Sequence, residues 1–140
     1  MISRLPFILG LLLTDLAVAG SIKVSQVSDL RFGVAPQGAA AVTIPAGTSE
    51  TASNASFRVT GNANQSFTIA IPTGNIQMEG PLPKKLNQID VHSFSSFPSG
   101  TGVLDPSGAA MVYVGATRTA LAVNLPPGSY DGAFSLTVVY

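Results

Sequence analysis

An antiparallel β-sandwich of immunoglobulin-like kind, with about eight to ten short strands, is the fold class this sequence predicts. Three observations lead there. Apolar residues alternate with small or polar ones along most of the chain. The alternation is plainest at the end, where Tyr130, Phe134, Leu136, Val138 and Tyr140 take even positions and Ser129, Asp131, Ala133, Ser135 and Thr137 odd ones. A period of two puts one set in a core and the other in water. Groups of Gly, Pro, Asn, Asp and Ser punctuate the alternating runs, and past the N-terminal segment no helical period is sustained. A long closing strand must share its core with earlier strands, so the preceding chain reads as the rest of a sandwich. A small closed barrel is the alternative architecture. No repeat of fixed period suggests a solenoid or propeller.

The chain has 140 residues, enough for one domain. Charged residues are 10% of it, seven basic against seven acidic, and the formal net charge is zero. A surface so neutral offers no electrostatic footprint for nucleic acid or an anionic membrane. Low charge favours self-association, and Gly, Ser, Thr and Asn carry the solubility. Without Cys there is neither a disulfide frame nor a thiolate metal site.

Residues 1–19 read as a signal peptide. Arg4 gives a positive start, residues 5–14 are an apolar run, and Ala17-Val18-Ala19 supplies small residues for cleavage after Ala19. Asp15, just after the run, is unusual for such a leader. The run is shorter than the roughly 20 residues a membrane helix needs. A buried N-terminal helix or an uncleaved anchor is the competing account. The mature chain, residues 20–140, is then a single domain with no transmembrane segment. Its expected location is the periplasm, the outer surface or the extracellular space.

Along the mature chain, Ile22, Val24, Leu30, Phe32 and Val34 share even positions, with an interruption at Ser28-Asp29 that makes two short strands. Pro36-Gln37-Gly38 turns the chain, Val42 and Ile44 resume the alternation, and Pro45 ends it. Residues 46–55 read as a loop. Phe57 and Val59 form one strand, and Phe67, Ile69 and Ile71 the next. Between them Gly61-Asn62-Ala63-Asn64-Gln65 tolerates positive φ and predicts a hairpin. Ile76 and Met78 mark a short strand, and Pro81 and Pro83 make the following segment a loop with Lys84 and Lys85 at a solvated tip.

Ile89 and Val91 then face inward, and the phase shifts at Ser93, as a bulge would cause. Leu104-Asp105-Pro106-Ser107-Gly108 has Asp, Pro and Gly placed for a type I turn. Residues 109–114 are apolar on both faces, as a central strand is, with a break expected at Gly115 and Ala116. Leu121, Val123 and Leu125 lead to Pro126-Pro127-Gly128, the corner before the closing strand.

No constellation points to catalysis, a metal or a cofactor. His92 is the one histidine, with Asp90 on the same outward face, but a triad needs a nucleophile on a strained turn and an oxyanion hole. The carboxylates stand singly, without the Asp-x-Asp run of a calcium loop. Asn54-Ala55-Ser56 and Asn64-Gln65-Ser66 fit the glycosylation pattern, which carries little weight in a bacterial protein. The ten aromatic residues, seven Phe and three Tyr, lie mostly on inward phases, and Phe94 and Phe97 are the best candidates for exposure.

Leu30-Arg31-Phe32-Gly33, Phe57-Arg58-Val59-Thr60-Gly61, Gly102-Val103-Leu104-Asp105 with Gly108, Tyr113-Val114-Gly115-Ala116-Thr117, and Pro127-Gly128-Ser129-Tyr130-Asp131-Gly132 through Tyr140 occur in that order. This series resembles the bacterial secreted domain known as domain of unknown function 4402, over essentially the whole mature chain. The last block is also similar to spore coat protein U domains, which belong to surface fibres built by a periplasmic chaperone and an outer-membrane usher. The resemblance implies a pilin-like sandwich lacking a strand, completed by β-strand addition from the next subunit. It departs from many such pilins in having no disulfide and a short N-terminal segment.

The expected function is therefore a non-enzymatic structural subunit of a bacterial surface fibre or coat, with self-association, a chaperone and an usher as partners. Residues 20–27, with Ile22, Val24 and Val27, are the candidate exchange segment, although they could equally pair as a first strand of their own domain. The alternative function is a self-contained monomeric envelope or secreted domain that binds a surface, glycan or protein through its loops.

Overall fold

The computed structural model describes residues 2–5 and 7–11 by their backbone, and residues 22–80 and 88–140 in full. The strands are β1 (Ile2–Leu5), β2 (Phe7–Leu11), β3 (Lys23–Ser28), β4 (Leu30–Val34), β5 (Val42–Ile44), β6 (Ala55–Thr60), β7 (Ser66–Ala70), β8 (Ile76–Glu79), β9 (Gln88–Phe97), β10 (Thr101–Val103), β11 (Ala109–Arg118), β12 (Ser129–Tyr130) and β13 (Phe134–Val139). The chain is all-β, with antiparallel sheets. The largest sheet runs β3-β6-β11-β9-β8, with β5 also on β11, and curls like half a barrel. A smaller sheet runs β10-β7-β13-β2, and a third β12-β1-β4. Among the described residues, the parallel pairings are those that β1 makes with β12 and β2 makes with β13.

The core follows from the alternation. Phe57 and Val59 on β6, Ile89 and Val91 on β9, Val112 and Val114 on β11, and Phe134, Leu136 and Val138 on β13 are all buried in one cluster. Each such side chain contributes about 1.5–3 kcal/mol by leaving water. Phe134 joins the sheets, its ring edge-on to Phe57 with centroids 6.3 Å apart and tilted against Phe94 at 5.1 Å. Phe94 is thus half-buried, whereas Phe97 stays exposed.

Several sequence expectations change at the junctions between strands. The hairpin expected between β6 and β7 does not form. Both edges of β6 are occupied by β3 and β11, and β7 pairs with β10 and β13 in the other sheet. The 61–65 connection is held instead by Gly61 N–H to the Gly108 carbonyl, Asn64 N–H to Asp105, and Leu104 N–H to Gln65. These bonds tie the crossing to the Asp105 turn. Gly115 and Ala116 do not break β11, which runs on to Arg118. There β5 approaches so closely that a Cβ on Gly115 would lie 2.0 Å from the Ile44 carbonyl oxygen. Val34 is 72% exposed and leaves the buried face, and the alternation of Leu121, Val123 and Leu125 forms no strand. Leu121 and Leu125 are buried there, odd-numbered like the 81% exposed Val123 between them, but in irregular chain.

Other expectations hold. The bulge is present: Gly115 faces Ser95 and Thr117 faces His92, leaving one extra residue on β9, and Ser93 takes φ 56°. The 46–54 loop is ordered by Asn54, fully buried, whose amide donates to the carbonyls of Ala46 and Ser49 and accepts from the Thr51 N–H and hydroxyl. The Asp105 turn closes with Gly108 N–H to the Asp105 carbonyl at 2.8 Å. The loop with Lys84 and Lys85 lies outside the described residues.

Two predictions follow from these contacts. Gly115→Ala forces β5 away from β11 and should cost about 1–3 kcal/mol, read as a lower urea midpoint with an unchanged slope. Asp105 accepts from the Ser107 hydroxyl and from the N–H groups of Ser107 and Ala109. The Ser107 hydroxyl first, then the Ala109 N–H, hold its carboxyl below the ordinary 3.8. A depressed folded value stabilises above the unfolded one and is lost as pH falls through it. Asp105→Ala should therefore lower the melting temperature at neutral pH, and the gap to the parent should narrow below about pH 3.8.

Candidate strand-acceptor edge

The closing stretch is fixed at its start by a corner. Tyr130 is fully buried and its hydroxyl donates to the Pro126 carbonyl four residues upstream. Burial raises the phenol's pKa, which keeps it protonated and able to donate. Next, Asp131 and Glu79 exchange backbone hydrogen bonds at 3.1 and 2.8 Å, tying the corner to the end of β8. From there Phe134, Leu136 and Val138 point inward, Ser135 is exposed, and Thr137 and Val139 are half-exposed. Tyr140 follows β13 and is half-buried against the core. This is the closing strand the alternation predicts.

One edge of β13 pairs with β7 through Thr137, Val138 and Val139. The other edge is taken by β2. Phe7 lies opposite Phe134, Leu9 opposite Leu136 and Leu11 opposite Val138, all in parallel. The same offset governs β1, where Ile2 lies opposite Ser129 and Ser3 opposite Tyr130. Residues 2–5 and 7–11 thus keep one register alongside 129–138. On its far side β1 pairs antiparallel with β4, from Ile2 opposite Val34 to Leu5 opposite Leu30. Residues 2–5 therefore occupy a slot between β4 and β12, which residues 7–11 extend along the outer edge of β13.

The segment expected to exchange is seated elsewhere. β3 pairs antiparallel with β6 of its own chain, Val24 opposite Val59. Ile22 and Val24 are buried beneath it, while Val27 is 51% exposed. Residues 2–5 and 7–11, the start of the segment expected to be a leader, are in the slot, and the expected cleavage site at Ala17-Val18-Ala19 lies outside the described residues. The sequence did not reveal the slot because an export leader and an apolar strand share the same composition. The available signal was the closing strand itself, a long alternating run whose backbone needs a hydrogen-bonding partner on each edge.

Elsewhere the chemistry is sparse. His92 Nδ1 lies 2.8 Å from the Ser93 hydroxyl, and Asp90 accepts from the Gln77 amide at 3.1 Å rather than orienting the imidazole. Among the described residues no three His, Cys, Asp or Glu side chains gather as a metal site. Asn54 is sealed in its loop, so the first glycosylation pattern is inaccessible to a modifying enzyme. An open cleft of about 550 Å³, lined by Ser66, Phe67, Thr68, Val103, Val139 and Tyr140 among others, lies across β7 and β10 near the end of β13.

No curated protein matches the chain. The family model for a domain of unknown function, DUF4402, matches residues 20–140, from the expected first mature residue onward, and the chain belongs to that family.

Proposed function

We propose that this chain is a non-enzymatic structural subunit of the bacterial cell surface, a pilin-like fibre or coat component that assembles by β-strand addition at the slot between β4 and β12 and its continuation along the outer edge of β13. One observation carries the reading: the slot's occupant is drawn from residues 1–19, the segment that reads as an export leader. Once export removes it after Ala19, the outer edge of β13 and the facing edge of β4 lose their hydrogen-bonding partner. Backbone groups at such an edge must be paired or hydrated, and an open strand edge is a template for another strand. A partner's extended segment would restore the ladder, with alternate side chains entering the core. A periplasmic chaperone would hold the slot before an outer-membrane usher passes the subunit on.

Two further facts support this reading. The family match begins at Gly20, directly after the expected cleavage point. Tyr130, bonded back to Pro126 at the corner before the closing strand, has the geometry of the tyrosine corner of immunoglobulin-like sandwiches. The recognition chemistry is main-chain hydrogen bonding and apolar fit, and it needs no reacting group.

Magnitudes favour a strand of this length. Three inward apolar side chains would gain roughly 4.5–9 kcal/mol, at about 1.5–3 each. Ladder hydrogen bonds add about 0.5–1.5 kcal/mol apiece. Association costs an estimated 4–15 kcal/mol, so a full strand binds where a two-residue contact would not.

The test compares the chain 20–140 with and without a synthetic peptide of residues 2–13. The reading predicts that the peptide raises the melting temperature in a concentration-dependent way, equivalent to about 2.7 kcal/mol at a hundred times its dissociation constant. A chain 20–140 that is a stable monomer indifferent to the peptide would favour the self-contained binding domain, with the 550 Å³ cleft as its first place to look.

A further inference from the structure

On the strand-addition reading above, we infer that Arg31 selects the strand that completes the slot, and that the partner strand carries an acidic residue in the position Arg4 now holds.

β4 and β12 lie in the third sheet, and among the described residues each has β1 as its one strand partner. In a chain cleaved after Ala19 that partner is gone, so an incoming strand has to serve β4 and β12 as well as β13. The present occupant shows the path. It runs antiparallel to β4 from Val34 to Leu30, and then parallel to Phe134–Val138. A partner that satisfies all three strands follows the path of residues 2–11 in the same direction.

Most of that path is matched by apolar residues, which many strands share. Leu5 lies opposite Leu30, and Phe7, Leu9 and Leu11 opposite Phe134, Leu136 and Val138. One position differs in kind: Arg4 lies opposite Arg31. Directly opposed residues of an antiparallel pair share a face of the sheet, and like charges there repel. Arg31 is exposed between the buried Leu30 and Phe32, so its charge stands on the solvent side of β4. It is also the one charged residue in β4, β12 and β13. No other side chain of these strands can tell one uncharged-core strand from another by charge.

Arg4 is accounted for by export, since a positive start is what a leader needs, and export sets its sign without regard to Arg31. The N-terminal segment thus fits the slot in its apolar residues and opposes it in its charge. A carboxylate in the same register turns that repulsion into attraction, while a strand with Lys or Arg there is turned away. Selectivity comes from both effects. The partner is an extended segment with Asp or Glu opposite Arg31 and, from three residues further on as Phe7 follows Arg4, an uncharged run apolar at alternate positions over about five residues.

The experiment titrates the chain 20–140 and its Arg31→Glu variant with the 2–13 peptide and with the Arg4→Glu form of that peptide. At low salt the Arg4→Glu peptide should bind the parent chain about three- to tenfold more tightly than the unmodified one. On the Arg31→Glu chain the order should reverse, and at about 1 M salt, where the screening length is about 3 Å, both preferences should shrink towards parity. Asp29, which precedes β4 and accepts from the Gln26 amide, acts on the peptide charge in both chains, so the crossed comparison isolates the Arg31 pair. Equal binding of the two peptides, or a preference for Arg4→Glu that persists on the Arg31→Glu chain, would overturn the inference while leaving strand addition intact. A folded chain 20–140 that binds neither peptide would overturn strand addition itself, and the inference with it. Where the chain 20–140 does not fold alone, the uncleaved chain carries the same comparison through its melting temperature. Arg4→Glu and Arg31→Glu should each raise it at low salt and the double variant should return it towards the parent's, whereas additive changes would overturn the inference.

Discussion

Backbone hydrogen bonds at the edges of the closing strand are the constraint on which the rest of this structure depends. Phe134, Leu136 and Val138 are buried to 1% or less, and a strand so deeply seated cannot leave a row of N–H and C=O groups unpaired without losing free energy. β7 satisfies one edge over three residues. The other edge runs the length of the strand and is met by a segment from the opposite end of the sequence. The Tyr130 corner and the Asp131–Glu79 pairing aim the strand into this position.

What was legible in the sequence follows from how local its causes are. The alternation of β13, the Asp105 turn, the break at Ser28-Asp29 and the bulge at Ser93 each depend on a few neighbouring residues, and each is where the pattern puts it. What was not legible depends on contacts remote in sequence. Gly61-Asn62-Ala63-Asn64-Gln65 has hairpin chemistry, yet the edges of β6 go to β3 and β11, and a turn's composition carries no information about which strands compete for an edge. Gly115 looks like a strand breaker, but its missing side chain makes room for the Ile44 carbonyl.

Arg118 shows the same limit from inside the core. It falls on the phase of Val112, Val114 and Ala116 and is buried with them. Its guanidinium donates to the carbonyls of Thr119 and Ala40 at 2.9 and 3.4 Å, and burial lowers its pKa. A charge in an inward phase reads from sequence as the end of a strand. Here it ends the apolar core instead, capping it with hydrogen bonds to two loops, at the cost of a buried Nε without a partner.

The other sheet edges show why the slot is different in kind. Natural sheets blunt open edges by brevity, charge or covering. β10 is three residues long, exposed Lys23 stands at the start of β3, and exposed Glu79 ends β8, where Asp131 also bonds across it. Along β13 there is none of this: Phe134–Val139 has no charge, no proline and no bulge, over six residues. In a chain with zero formal net charge, such an edge would associate indiscriminately if left open. An edge with no such protection, in a chain that protects its other edges, is best explained by a partner strand that covers it. Here the N-terminal segment is that covering strand, in one register along residues 129–138, and its place satisfies the constraint that the closing strand imposes.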